Sequence, residues 1–151
     1  ASDVYKRQLM ECGVAAKRDL KKGRISPAVE RLIECNILLS GVGFESGGLA
    51  LAHAIANGLT ILPECKAMHG EAVAFGLVVQ LRLERAPELD QVLEFCQRVG
   101  LPTTLEELGL DEISDADLMS VADAAIRNER NMANEQAKAT KQKLVQLMRE
   151  A

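Results

Sequence analysis

A chain of 151 residues, 48% apolar and 26% charged, holds enough apolar side chains for one core of ordinary size and is short for two domains. Its formal net charge of −4, with no face that collects Lys and Arg, disfavours a nucleic-acid partner, and no apolar run approaches the ~20 residues needed to span a bilayer. Four cysteines, Cys12, Cys35, Cys65 and Cys96, follow no CxxC spacing, and the N-terminus lacks the charged, apolar, then small pattern of a secretion signal; reduced thiols in a cytoplasm are the simplest expectation.

Residues 1–8 carry no clear period and no cap, and read as an uninformative segment. The pattern predicts a first helix over 9–22 closed by Gly23, where a left-handed residue costs little. Ser26 followed by Pro27 starts a second helix, with Val29, Leu32, Ile33 and Ile37 on one face and an end near Leu39. After a glycine-rich turn, Leu49, Ala52, His53 and Ala56 share a face of a third helix that stops at Gly58, which points His53 with the apolar side. A connection through Pro63 leads to a fourth helix, marked by Ala72, Phe75, Val79 and Leu83, that begins just after His69 and ends before Pro87.

Leu89, Val92, Leu93, Cys96 and Val99 form the next helix, closed by Gly100 and Pro102. Thr104 with Glu107 predicts a capping box and a short helix, and Ser114 caps one carrying Leu118, Val121, Ala122, Ala125 and Ile126. The segment 134–150 is helix-prone but polar, with an apolar stripe only at Leu144, Leu147 and Met148, and is expected to pack weakly or fray. No short stretch alternates apolar and polar residues between turn signals, so the chain reads as all-α.

Both histidines fall between Ser40 and Gly76, SGVGFESGGLALAHAIANGLTILPECKAMHGEAVAFG. Within it Gly41, Gly43 and Gly47 imitate a dinucleotide-binding turn, but that motif needs a preceding strand; a tight interhelical turn is the reading that fits a helix on either side. His53 and His69 are sixteen residues apart, too far to share one helix face as ligands. Either the connection folds back and the two rings, with a carboxylate from elsewhere, form a three-ligand site with an open position, as in catalytic zinc, or each is a satisfied core or surface histidine. Cys65 could add a thiolate, or be an ordinary buried thiol.

The runs SGVGFESGGLALAHAIANGLT and HGEAVAFG resemble the C-terminal helical half of glycerol dehydrogenases, in the iron- or zinc-dependent alcohol dehydrogenase superfamily. The likeness extends from about Leu9 to Met132, which implies a helical metal-binding domain over 9–132 and leaves 1–8 as an uninformative segment and 133–151 as a polar C-terminal helix. It implies a helical bundle, the C-terminal half of a dehydroquinate synthase-like, iron-containing alcohol dehydrogenase fold. It further implies that His53 and His69 bind the catalytic zinc, or another divalent metal, and that Phe44 lines the substrate pocket, the alternative for Phe44 being simple core packing. NAD, the third metal ligand (an aspartate) and the other substrate contacts would belong to a missing N-terminal nucleotide-binding domain. The chain would then be the metal-binding portion of an NAD-dependent enzyme oxidising a polyol such as glycerol to dihydroxyacetone, homo-oligomeric at full length and inactive alone, with an apolar face exposed where that domain packs.

Ala56 stands where many glycerol dehydrogenases carry a histidine, so no relay role is carried to that position. Ser46 reads as an N-cap as readily as a site residue, and Glu71 as a first-turn carboxylate facing the helix dipole. Two alternatives remain: a dehydroquinate synthase-like fragment, whose family shares an HGEAVA-type segment, and a non-catalytic helical interaction module. The FESGGLA segment favours the polyol dehydrogenases.

Overall fold

The computed structural model describes residues 2–39, 41, 49–135 and 137–151, and the chain divides into two compact units, Ala1–Gly48 and Leu49–Ala151. Among the described residues all regular structure is helical.

The first unit is an antiparallel pair, α1 (Ser2–Lys21) and α2 (Pro27–Leu38). Gly23, at φ 65°, turns the chain out of α1: its N–H donates to the Leu20 carbonyl at 2.9 Å and that of Arg24 to the Asp19 carbonyl at 3.0 Å. Residues 2–8 are the opening turns of α1 rather than a separate segment. Tertiary contact with α2 carries them: the Cys35 thiol donates to the Tyr5 carbonyl at 3.6 Å, and the Gln8 amide to the Glu34 carboxylate at 3.4 Å. Pro27 opens α2 as expected, whereas the Ser26 hydroxyl makes no cap bond to it. The face that α2 buries is also shifted from the predicted one. Val29 and Cys35 are buried and Leu32 is partly buried, while Ile33 and Ile37 are 52% and 65% exposed.

The second unit contains α3 (Leu51–Leu59), α4 (His69–Glu84), α5 (Leu89–Val99), α6 (Asp115–Arg127), the single turn α7 (Glu129–Met132) and α8 (Lys141–Glu150). Leu51, Ile55 and Leu59 of α3 are fully buried with Phe75 and Val79 of α4, Leu118 and Val121 of α6, and Leu144 and Met148 of α8. The centre of this core is α3, which packs on both α4 and α6. Glycine explains how it fits. The sequence predicts that α3 stops at Gly58, but the helix runs through it: a Cβ there would stand 2.7 Å from the Val121 carbonyl oxygen of α6. On the other side, a Cβ at Gly76 of α4 would stand 2.3 Å from the Ala52 carbonyl oxygen. Gly58 is therefore a close-approach residue and not a stop signal.

Other boundaries agree or differ for local reasons. Gly100 closes α5 at φ 66°, as predicted, with the Leu101 N–H on the Cys96 carbonyl at 2.9 Å. The bonds of the predicted box over 104–107 form, with Glu107 N–H donating to Thr104 Oγ1 at 3.1 Å and the Glu107 carboxylate accepting from Thr103 N–H at 2.6 Å. No helix propagates from them, because Gly109 turns left-handed at φ 73° and the stretch remains a string of turns that buries Leu105, Leu108 and Leu110.

The expected fraying of 134–150 is overturned. Helix forms only from Lys141, capped by Thr140 through the Lys143 N–H at 3.2 Å, and Leu144, Val145, Leu147 and Met148 lie in the core. Arg149 of α8 bonds the Asp115 carboxylate at 2.8 Å and the Ile113 carbonyl at 2.5 Å, and Lys141 pairs with Asp123. A narrow stripe suffices when α6 is there to receive it. No described helix is long and apolar enough to cross a membrane.

Because Leu144 is fully buried, Leu144→Ala should cost about 2–5 kcal/mol in urea unfolding of the chain. A fraying tail would lose less than about 0.5 kcal/mol.

Candidate metal centre

The two histidines reach each other through a compact reversal between α3 and α4. Thr60 ends α3, its hydroxyl donating to the Asn57 carbonyl at 2.7 Å. Successive turns follow, with Leu62 N–H on the Leu59 carbonyl and Cys65 N–H on the Leu62 carbonyl, each at 3.1 Å. The chain re-enters helix at His69 itself, one residue earlier than predicted. Glu71 fixes that start: its carboxylate accepts from the Met68 N–H at 2.8 Å, satisfying a donor at the positive end of α4. This is the first-turn role expected of Glu71.

His53 on α3 is half-buried and His69 is exposed, with ring centroids 5.7 Å apart and planes tilted by 52°. That spacing can be tested against the geometry of a shared ion. Zn–N bonds of about 2.0–2.1 Å in a tetrahedral site put two imidazole centroids about 5 Å apart. The observed pair lies within roughly an ångström of this, a gap that side-chain rotation can close. Burial, and then the neighbouring His69 ring, hold the His53 imidazole below the usual histidine range, which favours the neutral, ligating form. The donor set thus suits a borderline-soft divalent ion such as zinc.

No group of three His, Cys, Asp or Glu able to hold a metal occurs among the described residues. Cys65 therefore does not complete the pair; it packs partly buried against the core, the ordinary alternative for a lone thiol. The other thiols are also free, and burial pushes Cys35 and Cys96 up, away from thiolate chemistry. Phe44, Glu45, Ser46, Gly43 and Gly47 lie outside the described residues.

The residue before His53 touches α4 at two points. The Ala52 carbonyl rests against Gly76, and the Ala52 N–H donates to the Gln80 side-chain oxygen at 2.9 Å. His69, Gly76 and Gln80 are spaced by seven and four residues, one face of a helix. Gln80 is absent from the candidates that the sequence suggests, because its partner lies on another helix.

Two outcomes follow. Gly76→Ala drives a methyl into the Ala52 carbonyl, so it should destabilise the chain by about 1–3 kcal/mol in urea unfolding and weaken the nuclear Overhauser effect between the two rings. For His53 the folded-state pKa is depressed, so its contribution to stability is complete above the ordinary imidazole value and is lost as pH falls through the lower, folded value. The unfolding midpoint should drop as pH falls below the ordinary imidazole value, and His53→Gln should flatten that part of the curve.

No protein-family model matches the chain. It is 52% identical over 130 residues to a glycerol dehydrogenase of Thermotoga maritima, a match covering 84% of this chain and 36% of that protein. It is 50% identical over 119 residues to the glycerol dehydrogenase of Citrobacter freundii, covering 77% of this chain and 33% of the relative. The crystal structure of a probable glycerol dehydrogenase from Sinorhizobium meliloti 1021 superposes with a TM-score of 0.90 at 38% identity, over 97% of this chain and 42% of that one. The chain spans about a third of the length of these curated relatives. With its all-helical architecture and its likeness to these proteins in both sequence and structure, the chain belongs to the glycerol dehydrogenase family, whose C-terminal helical domain it represents.

Proposed function

We propose that this chain supplies the two-imidazole half of a divalent-metal centre in an NAD-dependent polyol dehydrogenase acting on glycerol or a close analogue. The observation that carries the reading is the facing of His53 and His69 at 5.7 Å across the junction of α3 and α4, in a chain half-identical to glycerol dehydrogenases. A bound zinc ion supplies Lewis-acid polarisation of an alcohol oxygen. His53, held on the buried helix, is the fixed ligand; His69, exposed at the start of α4, adjusts to complete the angle. Imidazole ligands carry no negative charge, so they would leave the positive charge of a bound ion uncompensated and strengthen its pull on oxygen.

On this reading the nucleotide-binding domain, a carboxylate ligand and further substrate contacts lie outside the chain, which by itself turns over no polyol. Phe44 is assigned to the wall of the substrate pocket, where an apolar ring helps to exclude water. On the same reading the full-length enzyme works in the cytoplasm as a homo-oligomer.

Zinc titration of the chain, followed through the histidine ring resonances, tests the centre. Both histidines should shift together and saturably, and His53→Ala should weaken binding at least about tenfold. Equal binding by parent and variant would remove the metal assignment. Adding the nucleotide-binding half of a relative should restore NAD reduction with glycerol, whereas dehydroquinate formation in its place would point to the other branch of the fold.

A further inference from the structure

The N-terminus of α3 has no local cap. Ala50 occupies the N-cap position and offers no side-chain acceptor, so the first N–H groups of the helix must find partners elsewhere. One of them, Ala52 N–H, is satisfied from another helix by the Gln80 amide oxygen at 2.9 Å. The orientation of that amide is itself determined. Gln80 Nε2 donates to Glu84 Oε1 at 2.8 Å, one turn further along α4, which leaves only the oxygen to face Ala52. Asn134 adds a second tether beside it, its amide donating to the Leu49 carbonyl at 2.8 Å.

We infer that Gln80, oriented by Glu84, is a positioning residue for His53: by capping α3 from α4 it fixes the height of the His53 backbone against the helix that carries His69. The inference rests on the proposed reading that the two imidazoles share a divalent ion. The geometry gives the cap more than a general stabilising role. Ala52 is the residue immediately before His53, and α4 holds its peptide units at two points one turn apart, the carbonyl at Gly76 and the N–H at Gln80. With only the Gly76 contact, α3 can still rock about that point, and a tilt at Ala52 carries the adjoining ring with it. With both contacts in place the backbone of His53 keeps one height against α4, and only side-chain rotation is left to set the spacing of the rings. A polar residue that only needed solvation could have been left in water; here its oxygen is committed to another helix and its nitrogen to a carboxylate.

The test uses the chain as it stands, with Zn2+ as the probe. Gln80→Leu removes the acceptor, Gln80→Met keeps the length of the side chain without the amide, and Glu84→Gln is the conservative variant that retains an acceptor for Gln80 Nε2. Three quantities are compared: the metal-free Tm, the Zn2+ dissociation constant measured well below that Tm, and the Overhauser effect between the His53 and His69 rings without metal. Gln80→Leu and Gln80→Met should weaken Zn2+ binding about tenfold and diminish the ring-to-ring effect, with Glu84→Gln close to the parent in both. A lower Tm with unchanged Zn2+ binding and ring contact, in whichever Gln80 variant folds, would make the residue a simple cap and overturn the inference. His53→Ala in parallel separates the two layers. If it abolishes binding while the Gln80 variants do not, the positioning role fails and the metal centre stands. If it leaves binding intact, both fail.

Discussion

The close seating of the Ala52 carbonyl on Gly76 governs the geometry of the larger unit. Helices separated by ordinary side chains keep their axes 8–10 Å apart; a glycine at the crossing brings backbone to backbone. Here α3 meets such a contact on both sides, Gly76 from α4 and its own Gly58 against α6. Each glycine within a helix costs roughly 1 kcal/mol of propensity relative to alanine. That cost is offset by burial, since Leu51, Ile55 and Leu59 have no exposed surface and draw Phe75, Val79 and Leu118 around them. A nine-residue helix with no cap of its own would not persist alone in water; in this bundle it is the most deeply buried element.

The same arrangement creates an unequal pair of imidazoles. His53 is carried by the buried helix and feels both desolvation and its neighbour, whereas His69 stands at the exposed start of α4. A fixed donor beside an adjustable one is a practical way to accept an ion whose remaining ligands arrive from another part of a protein, because only one side chain must reorganise. Glu71 keeps this opening turn in place, one of its carboxylate oxygens accepting from the Met68 N–H.

How much of this was legible in the sequence follows from the range of the interactions. Caps and left-handed glycines are local, so Gly23, Gly100 and the Ser114 cap, whose hydroxyl accepts from the Asp117 N–H at 3.1 Å, are where the residue types place them. Partners distant in sequence are not local. Gly58 carries the signature of a helix stop and becomes an interior contact only because α6 passes against it. The stripe on α8 looks too thin to hold a helix until its receiving surface on α6 is known, and residues 2–8 lack a period because α2 organises them. The histidine pair had two open readings from spacing, and only the path of residues 60–68 decides whether the rings meet. Gln80 shows the same limit in a polar residue, its acceptor role being invisible without α3.

Charge explains why such a half-site would be kept as a half-site. Two neutral imidazoles bring no negative charge to a dication, and the start of α4 presents the positive end of its dipole close to His69. Glu71 in the first turn offsets that field in part, but its carboxylate lies on the backbone and not between the rings. Ion affinity on the proposed reading must then come largely from an anionic ligand on another part of the enzyme. That division has a functional consequence. On that reading an ion held firmly only when both parts are together would be bound where the nucleotide and the alcohol also meet, and the centre would become competent only in the assembled enzyme.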